Sequence, residues 1–118
     1  MAGLALPTPI GMAAGFDKDC NVLRSLLNLG FGFVTGGTIT LSSRPGNPKP
    51  RVIRLPNEKA LINSMGFPRR GLEPAIKRLQ RSQRVKERIF VSIAGTIEDE
   101  IFDCLHRVQS LAAGIELN

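Results

Sequence analysis

The strongest constraint on this chain is its rhythm. Short apolar runs that close on glycine or threonine alternate with stretches in which leucine and isoleucine recur at helical spacing. The first run, "PIGMAA" at residues 9–14, ends at Gly15 and suits a buried strand running into a loop. From Asn21 the period changes, and Val22, Leu23, Leu26 and Leu27 form a helical stripe closed by Gly30. "FGFVTGGT", 31–38, reads as a second strand, "IFVSIA", 89–94, as a third, and "GIELN", 114–118, begins a fourth. Ahead of the fourth lies "GTIEDEIFDCLHRVQSL". Thr96 and Asp99 are spaced as a capping box, acids fill the first turn, and His106 and Arg107 sit near the end, where the helix dipole favours cations. The expected buried stripe of this helix is Ile97, Ile101, Leu105 and Val108 with Cys104. A dipole-facing or solvated role for His106, the single histidine, is favoured over general-base work.

The second connection breaks the rhythm. "SSRPGNPKPR", 42–51, holds three prolines and cannot be helical. Within the excursion from Leu41 to Phe67, Arg51 to Leu55 and Ala60 to Ile62 are expected to pair as a hairpin across "PNEK", and Asn63 to Phe67 return the chain toward the sheet. Gly71 to Arg81 is then amphipathic, with Leu72, Ala75, Ile76 and Leu79 on one face and Pro74 in the first turn, where its missing N–H does no harm.

Strands alternating with helical connections imply parallel βα units and an α/β fold. A doubly wound sheet would carry a GxGxxG or Walker-type phosphate loop at its first turn, and "AAGFDKDCN" is neither. A (β/α)8 barrel takes about 250 residues, so a 118-residue chain is expected to be about the first four βα units of a partial TIM barrel, a single incomplete domain over 1–118 with a hairpin after its second strand. The parallel arrangement would place Lys18, Thr38 and Asn118 on one rim. It would also leave two unpaired sheet edges that invite pairing or aggregation.

Composition narrows the classes further. Aromatics are scarce, with six Phe and no Trp or Tyr, and the apolar mass is the Leu, Ile, Val and Ala that fill strands covered by helices. Cys20 and Cys104 lie far apart, outside any CxxC spacing, which points to reduced thiols in a cytosol-like compartment and to no metal site. No apolar run reaches the roughly 20 residues that cross a bilayer, and the N-terminus lacks the pattern of a signal peptide. Of sixteen cations, eight fall within 69–88 (Arg69, Arg70, Lys77, Arg78, Arg81, Arg84, Lys86 and Arg88), opposed by Glu73 and Glu87. Such a cluster is able to meet nucleic acid or anionic lipid. The absence of interleaved aromatics favours a solvated helix face, with no nucleic acid partner.

"AAGFDK", 13–18, has two readings: a strand that runs into a surface loop with Lys18 solvated, or a site where small residues admit a flat ligand and the ammonium meets its charge. The order of motifs decides between them. "GMAAGFDKD", "GFGFVTGGTIT", "RPGNPKPRVIRLP", "LINSMGF" and the terminal "ELN" together resemble dihydroorotate dehydrogenase from Pro9 to Asn118, and the proline-rich excursion is more similar to the quinone-dependent class.

The resemblance implies an FMN-dependent oxidation of (S)-dihydroorotate to orotate in pyrimidine biosynthesis, at the C-terminal mouth of a barrel. A base takes the C5 proton, hydride passes from C6 to flavin N5, and the electrons go on to quinone or another acceptor. It implies Ala14, Gly15, Phe16, Asp17, Lys18, Thr38 and Asn118 as FMN contacts, and Lys18, Asn63, Ser64, Met65, Gly66, Phe67 and Asn118 as substrate contacts. These types suit the chemistry: Ala13, Ala14 and Gly15 let a ring lie on backbone, Lys18 faces negative charge, and the amides of Asn63 and Asn118 both donate and accept. It further implies a place on the cytoplasmic side, with peripheral membrane association a property of the full-length protein.

Three departures from the family pattern stand out. Pro68, Arg69 and Arg70 follow "MGF" where the family often has asparagines, and Gly95 and Thr96 follow the third strand where many quinone-type members have an asparagine flavin contact. The family's base lies just after "ELN" and its phosphate-binding glycines in later units. No catalytic base is therefore assigned in this chain, which alone is expected to be inactive. Two alternatives remain: another FMN barrel oxidoreductase acting on a pyrimidine, and a non-enzymatic basic binding module resting on 69–88.

Overall fold

The computed structural model describes residues 3–118. Strand β1 (Gly11–Met12) leads to helix α1 (Leu23–Asn28) and strand β2 (Phe33–Thr40). The excursion contains β3 (Val52–Leu55) and β4 (Ala60–Asn63). Helix α2 (Leu72–Arg81) and a 3-10 helix over Gln83–Arg88 precede β5 (Ile89–Ala94), α3 (Glu98–Val108) and β6 (Gly114–Leu117). The main sheet has the order β1-β2-β5-β6 with every pairing parallel, so consecutive βα units lie side by side. β3 and β4 form a separate antiparallel pair, Val52 opposite Asn63 and Ile53 opposite Ile62.

The two faces of the main sheet differ in chemistry. Val34, Ile39, Ile89, Val91 and Ile93 turn to the helices and pack with Leu23, Leu26 and Leu27 of α1, Leu72, Ala75 and Leu79 of α2, and Cys104 and Val108 of α3. α1 has six residues, too short to be stable by propensity, so burial of its leucine stripe holds it. Residues of the opposite phase face away from the helices: Phe33 meets Phe90 edge-on with centroids 5.5 Å apart, and Thr38 meets Ser92.

One irregularity sets the phase of β2. Gly36 pairs with Val91 and Ile39 with Ile93, so three steps along β2 match two along β5. The extra residue moves Ile39 onto the helix side and turns Thr38 to the other face. Gly37 is required there: its φ is +111°, and an added Cβ would stand 2.4 Å from the Ser92 carbonyl oxygen.

Several expectations are corrected. The first strand is two residues, not six, because the chain leaves the sheet at Ala13 and bonds Gly37 instead. The second strand runs to Thr40, and the chain after α2 forms the 3-10 helix. α3 starts at Glu98 after an extended, exposed Ile97, so Ile97 is not part of the core stripe. The expected Thr96–Asp99 capping box does not form: Ile97 is the N-cap and makes no side-chain cap bond, and the Thr96 backbone N–H and hydroxyl instead donate to the Glu100 carboxylate at 2.7 and 2.8 Å. The basic stretch is not simply solvated, since Arg69, Arg78 and Arg88 donate to backbone carbonyls of Thr38, Asp19 and Gly32. Among the described residues no helix is long and apolar enough to cross a membrane, and no cluster of metal-ligating side chains forms.

Candidate active site at the C-terminal ends of the strands

The segment after β1 is strapped to β2. The Gly15 N–H donates to the Gly37 carbonyl at 2.8 Å, and the Gly37 N–H donates to the Asp17 carbonyl at 3.0 Å. Asp17 is buried, and its two carboxylate oxygens accept the N–H groups of Asn21 and Val22, both at 2.7 Å, at the entrance to α1. Its side chain therefore anchors the loop to the helix. Lys18, the next residue, is held in place by that anchor. Cys20 lies under the same loop, where burial first, then Asp17 and Asp19, push its thiol up to about 12 and keep it protonated at neutral pH.

A hollow of about 460 Å³ opens beside this loop, lined by Gly15, Lys18, Val52, Leu61, Asn63, Met65, Gly66, Phe67 and Arg69. The hairpin supplies one wall through Val52, Leu61 and Asn63. The return segment is fixed from outside: the Asn47 N–H donates to the Met65 carbonyl at 3.0 Å, the Asn47 side-chain amide donates to the Ser64 hydroxyl at 2.9 Å, and the Ser64 N–H donates to the Arg51 carbonyl. Two cations and no carboxylate line the hollow, so it favours an anionic ligand.

Arg69 joins this hollow to the sheet. Its Nε–H donates to the Thr38 carbonyl at 2.7 Å, while its own backbone pairs with Arg44 in both directions at 2.9 and 3.0 Å. Partial burial lowers its guanidinium from the usual value, with Asp19 opposing; it stays charged at neutral pH. Beyond it, the Thr38 hydroxyl contacts the Ser92 hydroxyl at 3.0 Å and accepts from the Asn118 side-chain amide at 2.9 Å. The ends of β2, β5 and β6 are thus linked by polar side chains.

Of the expected site residues, Gly15, Lys18, Asn63, Met65, Gly66 and Phe67 share the hollow. Thr38 and Asn118 sit beside it through Arg69. Ala14, Asp17 and Ser64 do not line it, and Phe16 is 65% exposed. Arg69 and Ser92 join the site without being among the expected site residues. Arg69 stands directly after "MGFP", in a loop rather than on a helix, and that placement was the available signal. Thr96, where the family pattern often has asparagine, instead accepts from Arg44 at 3.0 Å and donates to Glu100.

Comparison with known proteins bears on the whole arrangement. A family profile described as dihydroorotate dehydrogenase matches residues 1–118. The chain belongs to the dihydroorotate dehydrogenase family. A Halorhodospira halophila protein named dihydroorotate dehydrogenase (quinone) is 52% identical over 81 residues, 69% of this chain and 24% of that protein. One of the same name from Brucella ovis is 47% identical over 105 residues, 87% of this chain and 29% of its own length. The ligand-free dihydroorotate dehydrogenase of Eimeria tenella superposes with a TM-score of 0.88 at 37% identity, covering 100% of this chain and 36% of that one. The chain thus spans roughly a quarter to a little over a third of the dihydroorotate dehydrogenases it matches.

Proposed function

We propose that the chain is the amino-terminal half of a (β/α)8 barrel that oxidises dihydroorotate to orotate with FMN. The observation that carries the reading is the convergence of Gly15, Lys18, Asn63 and Phe67 on one cationic hollow, joined through Arg69 to Thr38 and Asn118. Residues 1–118 then form one domain, incomplete by itself.

The residues present fit a flat cofactor. Gly15 has φ +98°, and a Cβ added there would meet nothing within 4 Å, so open space lies over a backbone already pinned to β2. Ala14, Gly15, Phe16, Asp17 through its backbone, Thr38, Lys18 and Asn118 would hold FMN, which when bound supplies the hydride acceptor. Lys18 brings an ammonium to the substrate carboxylate. The Asn63 amide donates and accepts along the edge of a planar ring, and the Ser64–Phe67 segment closes over it. The C5 proton is taken by no residue of this chain; in the family the base follows the segment equivalent to "ELN". Quinone is the proposed electron acceptor of the whole protein, in keeping with the names of its relatives. A membrane-dissolved quinone would call for peripheral contact of the full-length protein with a membrane, proposed here on the cytoplasmic side.

The test joins this chain in frame, after Asn118, to the remaining carboxy-terminal portion of the Brucella ovis relative. A yellow protein that reduces a quinone analogue with dihydroorotate, and loses that turnover when Lys18 becomes Ala, is expected. A folded, flavin-loaded chimera indifferent to Lys18→Ala would overturn the assignment of Lys18.

A further inference from the structure

We infer that the cleft between α1 and α2 is a binding site for a phosphate group. The cleft, about 310 Å³, is lined by Asn21, Arg24 and Ser25 on one side and Arg78, Arg81 and Ser82 on the other, and no carboxylate lines it. Elsewhere in the described chain Arg44 and Arg107 meet Glu100 and Glu73, and Arg51, Arg69 and Arg88 donate to backbone carbonyls, whereas Arg54, Arg70 and Arg84 have no side-chain partner but do not line the cleft. Arg24 and Arg81 have no hydrogen-bond or carboxylate partner within the described residues, yet they flank Arg78.

Asp17 and Asp19 do not line the cleft: the two Asp17 oxygens accept the Asn21 and Val22 N–H groups, and one Asp19 oxygen accepts from the Arg70 N–H. Arg78 is fixed in the wall because it donates to the Asp19 carbonyl at 2.9 Å, which occupies one of its five N–H groups and leaves the others available. Three guanidinium groups line one concavity with no carboxylate among the lining residues, so the potential there favours an anion. Their planar forks match phosphate oxygens in pairs, which a single ammonium does not. Ser25, exposed at the rim, adds a hydroxyl donor. The phosphate belongs either to a small soluble ester or to a phospholipid headgroup.

The experiment titrates inorganic phosphate into the 118-residue chain at constant ionic strength and follows arginine Nε–H resonances by NMR. Saturable shifts of Arg24, Arg78 and Arg81 are expected. The double variant Arg24→Gln, Arg81→Gln should weaken binding at least about tenfold, the loss expected for removing charge-assisted bonds. The double variant Arg84→Gln, Lys86→Gln removes the same charge outside the cleft and should leave binding unchanged. Equal weakening by both pairs, or shifts that never saturate, would overturn the site by showing attraction to net charge alone. Arg78→Lys, which keeps the charge and loses the fork, should also weaken it. Co-sedimentation with vesicles containing phosphatidic acid, reversed by inorganic phosphate and lost in the Arg24/Arg81 variant, identifies the lipid source. Saturable phosphate binding without vesicle association identifies the soluble one.

Discussion

The Asn118 side-chain amide donates to the Thr38 hydroxyl at 2.9 Å, joining residues 80 apart in sequence across the end of β5. The contact exists because the extra residue at Gly36–Ile39 rotates Thr38 off the helix face. Replacing Thr38 by Val keeps the shape and strips the acceptor, leaving Asn118 and the fully buried Ser92 without this partner. The expected loss is about 1–3 kcal/mol, read as a lower urea midpoint. An unchanged midpoint would mean that the three strand ends are not coupled through Thr38.

Asp17 and Lys18 are neighbours with opposite duties. Asp17→Ala removes the acceptor of two N–H groups at the start of α1 and is expected to cost about 1–2 kcal/mol, with lost helical signal in circular dichroism. Lys18→Ala should leave the melting temperature where it was, since Lys18 has no hydrogen-bond or carboxylate partner within the described residues. Equal destabilisation by both substitutions would contradict a purely ligand-facing Lys18.

Arg69 acts as a latch between the 63–67 segment and β2. Amide exchange of Gly66 and Phe67 should accelerate in Arg69→Ala. Arg69→Lys should restore little, because an ammonium lacks the fixed Nε–H that reaches the Thr38 carbonyl. Unchanged exchange in Arg69→Ala would show that Asn47 and Arg51 hold the segment unaided.

The start of α3 carries a pH dependence. The Thr96 backbone N–H, then its hydroxyl, hold the Glu100 carboxyl below its ordinary value of 4.5. The folded value is depressed, so the contact stabilises fully above that ordinary value and fades as pH falls through the lower folded one. Glu100→Gln should therefore lower the melting temperature at neutral pH by an amount that shrinks on acidification. A difference that grows below pH 4.5 would reverse the sign and refute the Thr96–Glu100 contact.

Much of this was legible in the sequence. The strand at 89–94 and the helix ending at Arg81 follow from uninterrupted patterns, and "PNEK" marked the hairpin turn. What escaped was non-local. Nothing in "PIGMAA" says that the chain from Ala13 onward will leave its strand, because the Gly15 N–H bonds Gly37, twenty-odd residues away. The glycine pair in "VTGGT" signalled a strand end, whereas β2 absorbs it as an extra residue and continues. Ile97 had the spacing of a core residue but precedes the first helical turn, so periodicity extended past the element's boundary. The motif order made the site's membership readable, yet Arg69 sat in a run of cations and looked like solvated charge.

Orotate titrated into the isotope-labelled chain tests the central claim most directly. Saturable NMR shifts are predicted at Gly15, Asn63, Gly66 and Phe67, abolished by Lys18→Ala, with the arginines of the α1–α2 cleft unmoved. Shifts that persist in Lys18→Ala, or that appear only around Arg24 and Arg81, would contradict a substrate site in this hollow.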